Sequence, residues 1–282
     1  MRDTTNQKFI LNFTPTGMIP TKQMTPHVPV QPEEIVHQVL EVAELGVNMV
    51  HLHARDPVTG EPTYQKEIYG DIIKGIRRHN KWLIIGVSTS GRMFNDFQKR
   101  SECLELKGDS KPDFGSLTLS SLNFNNQVSI NSPEMIRQLA AKMLESGIKP
   151  ELEAFDLGMI NYAKYLIRKG LIKAPYYFNL ILGNIACAQP NMLNLGLMVN
   201  DLPEKSMWSA GGIGGWQLQM NVMAIASGGG ARVGLEDNIY FDQARSRLAL
   251  NRELVERVLS IAKSLNKTPY SHKEARKLLL GK

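Results

Sequence analysis

Apolar runs of strand length alternate eight times with amphipathic stretches of helix length along this chain, and few folds accept that rhythm. The strand-like runs fall at 8–14, 47–53, 82–88, 114–119, 151–156, 176–182, 207–211 and 232–236. The first, Lys8-Phe9-Ile10-Leu11-Asn12-Phe13-Thr14, is almost continuously apolar, as a strand buried on both faces is. Helix signals lie between the runs. Pro32 opens a stripe of Ile35, Val39, Leu40, Val42 and Ala43 that Gly46 stops. Ile68, Ile72, Ile73 and Ile76 recur at helical spacing within 66–79, and Ser132, Pro133 and Gly147 mark the start and stop of another helix. Further helices are expected at 98–106, 159–169, 191–199, 217–226 and 251–265, with a short last one opened by the capping pair Ser271 and Glu274. Eight such units in 282 residues predict an α/β chain folded as a single-domain (β/α)8 TIM barrel over 1–282. A doubly wound open sheet is the alternative, but no GxGxxG follows the first strand.

The composition narrows the setting. With 43% hydrophobic residues the chain can bury one large core. Its net charge of +6 suits anionic small molecules, yet the basic residues are scattered and not interleaved with aromatics, so no nucleic-acid surface is expected. Cys103 and Cys187 lie far apart and form no CxxC, which fits a reducing, cytoplasmic setting. The polar start, Met1 to Lys8, has no apolar core of a signal peptide. Two long stretches lack charge, 174–200 and 206–231, but Asn179, Asn184, Pro190, Gln217, Gln219 and several glycines interrupt them, so no membrane span is expected.

In a barrel, chemistry sits on the loops that follow the strands. Strand two ends in His51-Leu52-His53, and alternation puts both imidazoles on one face, with Cα atoms about 7 Å apart. Such a pair can converge on a divalent metal; by spacing alone, histidines hydrogen-bonded in a core or on a surface are the commoner outcome. Strands eight and two flank strand one in a closed barrel, which lets Glu236 complete a two-histidine, one-carboxylate set. Arg232, Gly234 and Glu236 are expected on one face of strand eight, and Glu151, Glu153 and Phe155 on one face of strand five. Arg232 with Glu153 or Asp237 reads either as an internal ion pair or as the support of Asp237 acting as a base. The strand-end hydroxyls of Thr14, Thr16, Ser88, Thr89, Ser116 and Thr118, with Gly91, can bind a substrate carboxylate or simply cap the strands. The run Gly211-Gly212-Ile213-Gly214-Gly215 reads as a phosphate cradle or as a tight turn.

With these positions in hand, the chain resembles the β-keto acid cleavage enzymes over nearly its full length. The resemblance is carried by Thr16-Gly17, Val50-His51-Leu52-His53 with Arg55-Asp56, and Ser88-Thr89-Ser90-Gly91. It continues through Ser116-Leu117, Leu122-Asn123-Phe124, Pro150-Glu151-Leu152-Glu153, Ala210-Gly211-Gly212-Ile213-Gly214 and Gly234-Leu235-Glu236-Asp237-Asn238. It implies a homotetrameric barrel with a divalent ion, Zn2+ by preference, on His51, His53 and Glu236. It also implies that a β-keto acid and acetyl-CoA give acetoacetate and a new acyl-CoA. In that reaction Asp237 takes a proton from the carbon between carboxylate and ketone, Arg232 and Glu153 position Asp237, and Ser88, Gly91 and Ser116 hold the substrate carboxylate.

Three departures stand out. Ile19, beside Met18, replaces the acidic residue that reads a substrate ammonium, which points to a neutral or apolar tail. Ser90 replaces a glycine, and Arg92 close behind it leaves dicarboxylic keto acids open. Gly215 stands where relatives often carry a basic residue, which affects the contacts to the phosphates of CoA. Two other classes share these residues: a CoA-independent, metal-dependent aldolase or hydrolase, and a non-catalytic barrel.

Overall fold

Residue pairs on neighbouring strands close the sheet on itself. In the computed structural model, which describes residues 7–281, the barrel strands are β1 (Leu11–Phe13), β2 (Met49–Leu52), β3 (Ile84–Val87), β4 (Phe114–Thr118), β5 (Lys149–Ala154), β6 (Tyr176–Leu182), β7 (Ser206–Gly212) and β8 (Gly230–Val233). Each pairs in parallel with the next, and β8 returns to β1 with Arg232 opposite Asn12, so the barrel sheet has no open edge. The polar residues 1–6, read above as free of a signal peptide, lie outside the described residues.

Helices α1 (Pro32–Leu45), α2 (Lys66–His79), α3 (Phe97–Ser101), α4 (Pro133–Ser146), α5 (Leu157–Arg168), α6 (Met192–Asp201), α7 (Gln217–Ala226) and α8 (Asn251–Ser264) follow the strands in turn. Of the four isoleucines that predicted α2 from their spacing, Ile72, Ile73 and Ile76 are fully buried and Ile68 partly so, and Ser132 caps α4 by accepting from the Met135 amide at 3.1 Å. No helix among the described residues is long and apolar enough to cross a membrane.

The barrel interior is layered, and the layering places the site. At the N-terminal end Ile10, Met49, Ile84, Phe114 and Tyr177 form an apolar floor with Ala275 and Leu279 of α9 (His272–Leu280), which plugs the barrel from below. Arg276 of α9 grips Asp113 with two bonds of 2.8 and 2.9 Å, and Arg77 adds a third of 2.6 Å. Above the floor the interior turns polar: Asn12, Glu151 and Asn179 are wholly buried, and both asparagines donate to the Glu151 carboxylate. Polar groups therefore accumulate toward the C-terminal mouth.

Some expected boundaries move. The run 8–14 divides, because Lys8–Phe9 pairs with Thr268–Pro269 outside the barrel and Ile10 turns into the floor. The helix expected at 98–106 is an α-helix only to Ser101 and continues as the 3-10 turn Glu102–Glu105. A short hairpin, Leu122–Asn123 with Val128–Ser129, carried no distinctive sequence signal. Strand eight stops at Val233, so Arg232, Gly234 and Glu236 do not share a strand face. Gly234 (φ 155°) sits against the Thr14 carbonyl, where a Cβ would lie 2.1 Å from that oxygen, and the chain leaves the sheet there.

Candidate active site

His51, His53 and Glu236 meet at the mouth of the barrel. The His51 and His53 Nε2 atoms face each other at 3.2 Å, and Glu236 Oε1 lies 3.2 Å from His53 Nε2 and 3.9 Å from His51 Nε2. One ligand atom from each residue falls within 4.8 Å of the other two. The histidines come from the end of β2, as read from the sequence; Glu236 comes from the turn after β8. Its amide donates to the Thr14 carbonyl at 3.2 Å, and Gly17 gives its side chain room, since a Cβ there would stand 2.5 Å from Glu236 Cγ. Arg55 in turn fixes that neighbouring loop, donating to the carbonyls of Gly17 and Pro20 at 2.7–3.0 Å.

Glu151 is the residue that strand alternation displayed but did not assign. It lies 2.7 Å from His51 Nδ1, while its other oxygen accepts from Asn12 at 2.7 Å and from Asn179. A neutral imidazole whose Nδ1 donates to a carboxylate presents a lone pair on Nε2, the atom aimed at His53 and Glu236. Burial opposes charge on His51, yet the Glu151 and Glu236 carboxylates outweigh it and raise its pKa to about 9. Burial pulls His53 down to about 4. Glu236 is held well below the usual carboxylate range because His53, Arg232 and His51 overcome the effect of its burial.

These residues fit a divalent cation. Two ring nitrogens 3.2 Å apart share at most one proton between them, and Glu236 Oε2 is buried without a hydrogen-bond partner. A metal at the convergence point would satisfy all of these lone pairs, with His51 oriented through its other nitrogen as metal-bound histidines commonly are.

Beside the cluster stands a second pair. Arg232 Nε donates to Asp237 Oδ2 at 2.9 Å, and its Nη2 reaches Glu236 Oε1 at 2.8 Å and Asp237 Oδ1 at 3.3 Å. Glu153 lies 3.8 Å from Arg232 Nη1 and accepts from the Thr118 hydroxyl at 2.7 Å. Burial raises the Asp237 pKa; Arg232 opposes that shift without cancelling it. Burial likewise raises Glu153.

A cavity of about 570 Å3 opens above both groups. His51, His53, Ser88, Thr118, Glu153, Arg232, Glu236 and Asp237 line it, and Ile19 stands at its rim, 44% exposed. Gly91 and Ser116 are not among its lining residues. Ser116 Oγ accepts from the Thr89 amide at 3.0 Å, and the Gly91 carbonyl accepts from the Ile130 amide at 3.2 Å, so both tie loops together. A Cβ on Gly91 would come within 2.3 Å of the Ile130 oxygen. Arg92 lines the cavity with its guanidinium carbon 3.3 Å from the centre of the Phe124 ring.

Barrels that gather titratable groups over a cavity at the C-terminal mouth belong to enzymes, whose chemistry rides on these loops. Residues 8–280 match the family described as beta-keto acid cleavage enzyme, and the chain belongs to that family. It is 35% identical to the 3-keto-5-aminohexanoate cleavage enzyme of Fusobacterium nucleatum subsp. nucleatum, over 97% of this chain and 98% of that relative. It is 32% identical to the 3-oxoadipate:acetyl-CoA acetyltransferase of Cupriavidus necator, over 97% and 95% of the two chains. Among solved structures, the binary complex of ObcA with oxaloacetate shares the fold, with a TM-score of 0.76 at 19% identity over 90% of this chain and 67% of that one.

Proposed function

We propose that this protein is a divalent-metal-dependent acyltransferase that converts a β-keto acid and acetyl-CoA into acetoacetate and the CoA ester of the remaining acyl fragment. The observation that carries the reading is Asp237, buried and held by Arg232 next to the His51, His53 and Glu236 cluster in one cavity. His51, His53 and Glu236 would hold the ion, Zn2+ by preference, which when bound supplies Lewis acidity toward the keto acid oxygens.

Asp237 accepts a proton from the carbon between carboxylate and ketone, leaving an enolate. Its raised pKa makes it a stronger base than an ordinary aspartate, while Arg232 keeps it ionised and aimed. The enolate carbon attacks the acetyl thioester and releases CoA as thiolate. That thiolate adds to the original ketone carbon; the bond between the two carbonyl fragments breaks, and the departing acetoacetate carbanion recovers a proton from Asp237. Glu153, anchored by Thr118, keeps Arg232 in register. Ser88, Thr118 and the loop ends tied by Gly91 and Ser116 shape the end of the cavity that takes the carboxylate.

Ile19 at the rim supports a neutral or apolar tail, since an isoleucine offers an ammonium no partner. One observation favours an anionic tail instead: Arg92 stacks on Phe124 in the cavity and has no acid within ion-pair reach among the described residues. We extend the reading to a cytoplasmic homotetramer, for which Ile185, Met192 and Leu193, 68–76% exposed, offer apolar contact surface.

The test is a panel of simple, dicarboxylic and ammonium-bearing β-keto acids with acetyl-CoA, read by the new CoA ester. Simple 3-oxo acids are expected to lead. Asp237→Asn is expected to retain metal and lose about 100-fold or more in kcat, within the 10²–10⁴-fold that general base catalysis typically contributes. Loss of the keto acid at the same rate without acetyl-CoA would replace the reading with an aldolase or hydrolase, and comparable turnover of an ammonium-bearing acid would overturn the neutral tail.

A further inference from the structure

We infer that Arg245 binds the phosphate groups of acetyl-CoA at the mouth of the cavity, an assignment that rests on acetyl-CoA being the co-substrate. Arg245 lines the same cavity as Asp237 but at its outer edge, on the loop after β8. That loop is built rather than slack. Asp242 accepts from the amides of Ser246 and Arg247 at 3.1 and 2.7 Å, and the Arg245 amide donates to the Asp242 carbonyl at 3.2 Å. The turn holds Arg245 at φ 58°, a conformation side-chain-bearing residues seldom adopt, and directs its side chain over the glycine run after β7. Its Nη2 stands 3.6 Å from where a Cβ on Gly214 would be, and a Cβ on Gly215 would meet nothing within 4 Å. The floor beneath the guanidinium is thus bare backbone with open space beside it. The Gly214 amide donates to the Asp237 carbonyl at 2.7 Å, so this floor is fastened to the loop that carries the base.

Charge separates Arg245 from its neighbours. Arg247 pairs with Glu253 at 2.7 Å and Arg257 donates to the Phe241 carbonyl, whereas Arg245 has no acidic partner among the described residues and only a distant contact with the Tyr240 ring, 6.0 Å away. A cavity of about 570 Å3 suits a β-keto acid and the acyl end of a thioester. The nucleotide end of CoA is too large to follow, and its phosphates must lie at the rim. An unpaired guanidinium above open backbone matches phosphate oxygens there, and its fork favours them geometrically.

The test uses the metal-loaded protein, Arg245→Gln and Arg245→Lys. KM is measured for acetyl-CoA and for S-acetylpantetheine, which has the same thioester and arm without phosphate, and Kd for CoA by calorimetry. Arg245→Gln is expected to raise the acetyl-CoA KM and the CoA Kd about tenfold, as loss of one charge-assisted contact does. Arg245→Lys should recover most of this, and the S-acetylpantetheine KM should be the same in all three proteins. An unchanged acetyl-CoA KM and CoA Kd in Arg245→Gln, or an equal rise with both thioesters, overturns the assignment, as does a wild type that binds no CoA. A wild type that binds CoA but forms no CoA ester defeats the acyl-transfer reading instead, and the change in Kd still decides the role of Arg245.

Discussion

Glu151 never faces the cavity, yet it sets which nitrogen of His51 does. Its carboxylate accepts from Nδ1 at 2.7 Å and is itself fixed by Asn12 and Asn179. Glu151→Gln replaces that acceptor with a group that cannot ionise, so the tautomer of His51 loses its support. Metal affinity and kcat/KM are expected to fall about 10–100-fold, with metal content by elemental analysis and turnover as the two readouts. Full metal content and unchanged turnover would leave Glu151 a structural group only. His51, His53, Glu236 and Asp237 were legible as a set because the strand order alone brings their segments together. Glu151 was visible as a carboxylate sharing a strand face with Glu153, but position along a strand does not tell how deep each lies. Depth separates them here: Glu151 sits among the buried amides, while Glu153 reaches the cavity and Thr118.

At the scale of elements, the end of β8 decides where the third member of the cluster stands. The letters Arg232-Val233-Gly234-Leu235-Glu236 read as an unbroken alternating strand, and nothing local says otherwise. The break comes from the close approach of the Thr14 carbonyl, which only a glycine at 234 tolerates. Gly234→Ala is expected to destabilise the fold by about 2 kcal/mol or more and to shift Glu236 enough to weaken metal binding. Denaturant unfolding and metal titration would measure the two effects; a variant as stable and as metal-competent as the wild type would remove Gly234 from this account. The α9 plug was readable as a helix from its Ser271–Glu274 cap, but its role as the barrel floor was not, because Ala275 and Leu279 find apolar partners such as Ile10 and Met49 more than two hundred residues away.

For the whole molecule, metal and fold are expected to be linked. An ion on His51, His53 and Glu236 would join β2 to the loop after β8 across β1, and would bind the folded chain far better than the unfolded one. Stripping it with a chelator should lower Tm by several degrees, since a ligand at 100 times its Kd contributes about 2.7 kcal/mol. Light scattering on the same samples should read four chain masses before and after. A Tm indifferent to both chelation and restored Zn2+ would argue that the cluster holds no structural ion.

The amino-acid sequence alone determined the eightfold alternation, the barrel that follows from it, and the end of the barrel at which the candidate site residues lie, because hydrophobic period and turn residues are local properties. Only the tertiary structure decided that β8 stops at Val233, that Glu151 backs His51, that Gly91 and Ser116 fasten loops behind the cavity, and that Arg245 overhangs its mouth. Each of those outcomes depends on contact between segments distant in the chain, where the carbonyl, carboxylate or open space that matters belongs to another part of the molecule.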